Sequence, residues 1–293
     1  PETPRDADRS PVATAPKSAP ALPSHLLRGV ERIAAPALDA INRHVALKAL
    51  TKPLWRYIGK NVVTTFSGNL YEVHGANHIR HLDAPAGIVL VANHRSFFDL
   101  FVTAAAIIDN APHLTERMIF PVRKNYFYDT APGLLLNLTL TSGSMWPPIF
   151  RDERKGVLNP MAMAQIGDVM RRGTLVGIHP EGRRGVGDDP YAFGSIKVGV
   201  GQLLNGAHPD VLVLPAFVLG AENDVFKLVR RNGRPAGKRG EPVRIRFGAP
   251  MRAGDLVDAA GGDEQAIADA TMVPVAALGA IDRAERAVNP TVA

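Results

Sequence analysis

Gly87-Ile88-Val89-Leu90-Val91-Ala92-Asn93-His94-Arg95-Ser96-Phe97-Phe98-Asp99-Leu100 opens as an apolar run, passes through a short polar turn and enters a second apolar run that extends to Ile108. An unbroken apolar run of strand length reads as a strand buried on both faces, the kind found inside parallel sheets. The turn that follows such a strand and feeds a helix lies at the rim of the sheet, where α/β proteins place their chemistry. His94 and Asp99 share this one connection. A carboxylate against one imidazole nitrogen fixes the tautomer and stabilises the protonated ring, and the other nitrogen is left to take a proton from a hydroxyl. Ser96 and Asp99 also form an S-x-x-D capping box ahead of an apolar run, which satisfies helix-end amides without catalysis. That alternative covers Ser96 and Asp99 and leaves His94 unexplained.

Outward towards the amino end, Asn69–Gly75 alternates as a strand. His74, His78 and His81 straddle a Gly/Asn turn, so they read as a solvated loop in preference to a zinc site. Apolar residues recur at helical spacing from Ser24 to Leu50 (Leu26, Leu27, Val30, Ile33, Leu38, Ile41, Val45) and predict one amphipathic helix, followed after Pro53 by a second over Leu54–Val63 that ends near Ser67-Gly68. Trp55 and Tyr57 beside Arg56 and Lys60 are side chains favoured at a lipid interface. A helical pair packed on the main domain explains the same pattern equally well. Residues 1–23, dense in Pro, Ala, Ser and charge, read as a disordered tail. The expected organisation is therefore a tail at 1–23, amphipathic helices at 24–67 offered for membrane contact, and one domain at 68–293.

Towards the carboxyl end, Met118–Val122 reads as a strand leading into Arg123-Lys124, adjacent cations able to grip a phosphate. Ile149–Arg154 reads as a strand running into charge, and 159–172 as a helix stopped by Gly173. The strand Thr174–Ile178 opens into His179-Pro180-Glu181-Gly182-Arg183-Arg184-Gly185, where glycines let backbone approach an anion and guanidinium forks match phosphate oxygens. Gly199-Val200-Gly201 lacks the third glycine and the preceding strand of a nucleotide fingerprint. Val211–Val218 and Val243–Gly248 are strands; the cations between them (Lys227, Arg230, Arg231, Arg234, Lys238, Arg239) read first as a solvated excursion and second as a contact for anionic lipid or phosphate. Residues 263–288 have a helical pattern broken at Pro274. Strands alternating with helices predict an α/β domain with a largely parallel, mixed sheet covered by helices.

Composition narrows the function. The 293 residues carry a formal charge of +6 and no cysteine, which excludes disulfides, thiolate metal sites and a cysteine nucleophile and implies an anionic partner. With 6% aromatic residues and no basic segment interleaved with aromatics, specific nucleic-acid binding is not expected. No apolar run approaches the ~20 residues of a membrane-spanning helix, and no signal peptide is evident.

Asn93-His94-x-Ser96-x-x-Asp99 resembles the H-x4-D block of the glycerolipid acyltransferases, the 1-acylglycerol-3-phosphate acyltransferase type. Further blocks follow in the family's order. Pro148-Ile149-Phe150-Arg151 is a loose second block, Pro180-Glu181-Gly182-Arg183-Arg184-Gly185 is close to P-E-G-T-R-S with Arg183 for Thr and Gly185 for Ser, and Leu214–Val218 is similar to the proline-containing apolar strand. Arg123-Lys124 resembles the family's basic pair. The resemblance implies His94 as general base on an acceptor hydroxyl, Asp99 as its orienting carboxylate, and Lys124, Arg151, Glu181, Gly182, Arg183 and Arg184 as substrate-binding residues. It also implies an acyl donor (acyl-coenzyme A or acyl carrier protein), a glycerol-phosphate lipid acceptor with lysophosphatidic acid first, and an oxyanion hole from amides near Gly182 or in the turn after His94. No metal and no cofactor beyond the donor is required. The corresponding setting is peripheral, on the cytoplasmic face of the cell membrane. Acylation of glycerol 3-phosphate or a larger lysolipid, and a catalytically idle membrane-binding relative, are the alternatives.

Overall fold

The computed structural model describes residues 18–185 and 187–288; residues 1–17 of the expected tail lie outside them. At the start of the described residues Ala19 is buried with its amide donating to Asp168 Oδ2, and Gln165 Nε2 donates to the Pro20 carbonyl. A 3-10 turn at Ser24–Leu26 leads to α1 (Glu31–Arg43) and α2 (Val45–Pro53). The single helix expected over this region is broken at His44, whose backbone is extended. Tertiary contacts explain the break: Asn42 Nδ2 donates to the Gly143 carbonyl, and the buried Lys48 ammonium to Asn42 Oδ1 and Ser144 Oγ. Pro53 does not start a new helix. The chain winds on through a wide π turn at Leu54–Gly59 into α3 (Lys60–Ser67), one way a helix accommodates a proline.

The chain continues through β1 (Tyr71–His74), α4 (Asn77–Arg80), β2 (Ile88–Ala92), α5 (Asp99–Asn110), β3 (Met118–Ile119), β4 (Val122–Arg123), α6 (Lys124–Phe127), α7 (Ala131–Thr141) and β5 (Pro148–Ile149). Then come α8 (Glu153–Gly156), α9 (Asn159–Met170), β6 (Leu175–Ile178), α10 (Gly199–Asn205), β7 (Leu212–Leu219), α11 (Val225–Asn232), β8 (Val243–Phe247), β9 (Met251–Arg252), α12 (Ala253–Ala259) and α13 (Glu264–Val288). The main sheet has the order β1-β8-β7-β2-β6-β3, with β9 on β7. β2 is parallel to both neighbours, β6 and β7, whereas β7 and β8 are antiparallel; the fold is a mixed, mostly parallel sheet surrounded by helices. Every residue of β2 is buried, as its unbroken apolar composition requires of the strand at the centre of the sheet.

Elsewhere the structure departs from the expectations in instructive ways. The run Met118–Val122 is cut in two: β3 pairs with β6 in the main sheet and β4 with β5 in a separate two-stranded sheet, with Pro121 between them unable to donate to a ladder. α13 is not broken at Pro274; Ile267, Ala268, Thr271, Met272 and Val275 are buried along it, and this packing outweighs one missing backbone bond. The basic connection after β7 is not a bare excursion but contains α11, pinned through Arg231, whose guanidinium donates to the Gly220 and Arg239 carbonyls and to Glu222. No helix among the described residues is long and apolar enough to cross a membrane.

Candidate active site

The register of the central strands assembles the site. Val91 lies opposite Ile178 on β6 and Ala92 opposite Ala216 on β7, so the residues that follow β2 and β6 emerge side by side at the carboxyl edge of the sheet. Asn93 prolongs the contact with β7 through its side chain, donating to the Val218 carbonyl and accepting from the Val218 amide. His94 Nδ1 then lies 3.3 Å from Asp99 Oδ2, which leaves Nε2 for a substrate. Asp99 Oδ2 also accepts the amides of Arg95 at 2.7 Å and Ser96 at 2.6 Å. One carboxylate oxygen thus holds the amides of the turn and faces the imidazole at once. The Ser96 hydroxyl donates to the Glu222 carbonyl, which explains it without a role as nucleophile.

Burial sets the protonation states. It pulls His94 down to about 4, opposed by the nearby Glu181 carboxylate and assisted by Arg184. It pushes Asp99 up to about 6, against the hydrogen bonds from Ser96 and Arg95. At neutral pH the pair is therefore a neutral imidazole facing an ionised carboxylate, the combination a general base needs.

Glu181, expected as a substrate-binding residue, has both carboxylate oxygens on main-chain amides. Its carboxylate is buried, Oε1 accepting the His94 amide at 2.9 Å and Oε2 the Gly194 amide at 2.8 Å, so it fastens the His94 backbone to the loop after β6. Gly182 has a φ of +63°, in the left-handed region that glycine adopts without strain. Its carbonyl accepts from the Arg151 guanidinium. Gly185, which departs from the family pattern, donates its amide to the His94 carbonyl, and a Cβ there would lie 2.5 Å from Arg95 Nη1. Arg95 crosses the loop at this glycine, and its Nη2 donates to the Gly187 carbonyl.

A cleft of about 290 Å³ opens beside His94. Its deeper wall is apolar (Phe101, Phe127, Met145, Ile149, Ile166, Val200), and Arg123, Arg151, Arg183, Arg184 and Lys197 line it without any carboxylate among the described residues. Arg151, Gly182, Arg183 and Arg184 are thus brought together with His94. Lys124 is not. Its ammonium sits 2.6 Å from Glu31 and 2.9 Å from Asp129, in a neighbouring pocket that Arg154 and Lys155 also line. Of the basic pair it is Arg123, the last residue of β4, that faces the cleft, because α6 begins at Lys124 and turns the next side chain towards α1. Lys197 was hidden in a stretch legible only as a failed nucleotide fingerprint.

The family model described as acyltransferase matches residues 71–218. The chain belongs to the acyltransferase family. That span carries the dyad, the basic cleft and the central strands, and the family is that of the glycerolipid acyltransferases. No curated protein matches the chain.

Acyl transfer passes through an oxyanion that needs donors. In this acyltransferase the turn after His94 has none to spare: the amides of Arg95 and Ser96 go to Asp99, that of Phe97 to Asn223 and that of Phe98 to Ser96 Oγ. The Gly182 amide donates to the His179 carbonyl. The amides of Arg183 and Arg184, on the same cleft-lining loop, have no acceptor among the described residues.

Sequence reasoning also passed over His179. Its ring is stacked on His94, with centroids 4.2 Å apart and planes 7° from parallel. Nδ1 is 3.0 Å from the Ala92 carbonyl, which fixes the ring, and Nε2 is buried without a partner. Burial pulls this imidazole down to about 4, so His94 packs against a neutral aromatic face. The available signal was a histidine immediately before Pro180-Glu181-Gly182, level with the end of β2. Removing the face in His179→Ala is expected to lower kcat by about one to two orders of magnitude through misplacement of His94, with KM little changed and His179→Phe restoring most of the rate. Equal losses in both variants would assign the effect to the ring nitrogen instead of the stack.

Proposed function

We propose that this acyltransferase moves a fatty acyl group from the thioester of acyl-coenzyme A or acyl carrier protein to a hydroxyl of a glycerol-phosphate lipid, with lysophosphatidic acid giving phosphatidic acid as the leading case. The observation that carries this reading is a polarised imidazole at the junction of an apolar trough and a cation-lined rim. The trough suits an acyl chain, and guanidinium groups suit a phosphate. His94 Nε2 takes the hydroxyl proton as the oxygen attacks the thioester carbonyl carbon. The C–S bond breaks and the departing thiolate receives that proton back from His94. The acceptor supplies the nucleophile, so no acyl-enzyme is formed. In this reading neither metal nor cofactor takes part. The protein works peripherally on the cytoplasmic face of a membrane, where exposed Leu50, Tyr57, Ile58, Leu135 and Leu136 of the helices around residues 45–67 and α7 offer apolar contact.

Mass spectrometry of products from a panel of glycerol 3-phosphate, lysophosphatidic acid and larger lysolipids tests the acceptor, and thiol release from acyl-coenzyme A tests turnover itself. Absence of acceptor-dependent thiol release with every donor would leave a membrane-binding relative without activity. Arg184→Ala is expected to raise the KM for a phosphorylated acceptor about tenfold or more while the donor KM moves little. An equal rise in both would remove Arg184 from phosphate binding.

A further inference from the structure

α11 fits neither the core nor the cleft. Its inner side is Leu228 and Asn232, both buried; Asn232 accepts the Asn69 amide and donates to the Thr65 carbonyl, fastening the helix to the end of α3. Its outer side is unusual for a solvated surface helix. Phe226 is 81% exposed, with Val229 also exposed, and Arg230 lies one helical turn beyond Phe226 with Lys227 flanking it. Lys227 and Arg230, with Arg234 and Lys238 just after the helix, are exposed and have no side-chain partner among the described residues. Arg231, the cation of this group that faces inwards, is fully engaged with Gly220, Glu222 and Arg239. The one carboxylate at the start of the helix, Asp224, caps it by accepting the Phe226 and Lys227 amides.

The segment is tied to the catalytic turn. Asn223 Oδ1 accepts both the Phe97 amide and Arg184 Nη1, and the Glu222 carbonyl accepts from the Ser96 hydroxyl. Phe97 and Arg184 line the cleft, and Phe226 is three residues from Asn223, within about 11 Å even if extended. A projecting aromatic ring set among unneutralised cations, on a helix that starts two residues after the Asn223 contact with the cleft-lining Phe97 and Arg184, matches a surface that accepts apolar and positive groups together. An anionic bilayer does this, the ring entering the acyl boundary while ammonium and guanidinium groups remain among the head groups. A single-stranded nucleic acid would need a row of aromatic platforms, and α11 has one ring.

We propose that α11 is a docking element that seats the mouth of the acyltransferase cleft on an anionic lipid surface, so that a lipid acceptor passes from the bilayer to His94 without crossing water. It rests on the lipid-acceptor reading above and adds to it a named contact on the rim. The test is co-sedimentation of the chain with phosphatidylcholine vesicles with and without phosphatidylglycerol, for wild type, Phe226→Ser and the double variant Lys227→Glu/Arg230→Glu. Wild type is expected to bind the phosphatidylglycerol vesicles preferentially. The charge-reversal pair should weaken that binding at least about tenfold and Phe226→Ser should weaken it on both compositions. Turnover of a short-chain, freely soluble acceptor without vesicles should be unchanged in all three proteins. Undiminished vesicle binding by the variants, no binding by wild type, or equal loss of the vesicle-free turnover would each overturn the inference, as would a loss confined to oligonucleotide retention. Vesicle binding is read without turnover, so an inactive wild type that still shows the variant-sensitive binding would sink the enzymatic reading and leave the docking surface standing.

Discussion

His94→Ala is expected to bring acceptor-dependent thiol release down by about 10² to 10⁴-fold while the unfolding midpoint stays close to that of wild type. The two effects separate because the His94 main chain is held independently of its ring: its amide goes to Glu181 and its carbonyl accepts from Gly185. The side chain contributes the Asp99 contact and the stack with His179, and it is partly open to the cleft, so little core is removed. The pH profile of wild type supplies the matching control. Only neutral His94 can accept a proton, and burial holds it at about 4 while Asp99 is raised to about 6. Protonating either group as pH falls removes the working form of the pair, so kcat/KM should be level through neutrality. Its acid limb should lie below the ~6.5 of a free imidazole. A limb centred above pH 7, or turnover surviving in His94→Ala, would take the base away from His94.

Much of this site was legible because its parts lie at strand ends. The apolar runs at Gly87–Ala92, Thr174–Ile178 and Val211–Val218 marked three buried strands, and in a parallel sheet the residues just past such strands must meet. That puts His94 and Glu181 at one edge of the sheet, and the pairing of β2 with β6 makes them neighbours. What could not be read was set by side chains choosing between competing partners. Lys124 differs from Arg123 by one position, yet Glu31, over ninety positions earlier, captures it. Glu181 was legible as a charge on a glycine loop, but its use as a clamp depends on the amides of His94 and Gly194 arriving from two other segments. The break at His44 and the continuity of α13 through Pro274 have the same origin, since tertiary packing overrode the local pattern in both. α11 was missed as a helix because its cations and the flanking Gly and Pro residues outweighed a single buried leucine in the pattern.

Asp99→Asn should cost nearly as much activity as loss of the base, and the reason lies in how one oxygen is shared. Oδ2 accepts from two backbone amides and faces the imidazole, while Oδ1 is buried with no partner. An asparagine at this position is forced to turn its oxygen to the Arg95 and Ser96 amides, because its NH₂ would repel those donors. Its oxygen then still accepts from His94 Nδ1–H, so the tautomer survives and only the charge that stabilises the imidazolium is gone. The expected loss is about 10²-fold in kcat, with the denaturant midpoint little changed, because the NH₂ group takes the place of an oxygen that is already buried without a partner and the cost of burying a charge is removed. Asp99→Ala should behave differently: it orphans both amides, loosens the turn that carries His94 and costs stability through the turn as well as rate. Comparing the two variants by kcat and by denaturant midpoint separates charge from architecture. If Asp99→Asn retains wild-type kcat, the carboxylate only holds the turn through the Arg95 and Ser96 amides, and His94 works without an electrostatic partner.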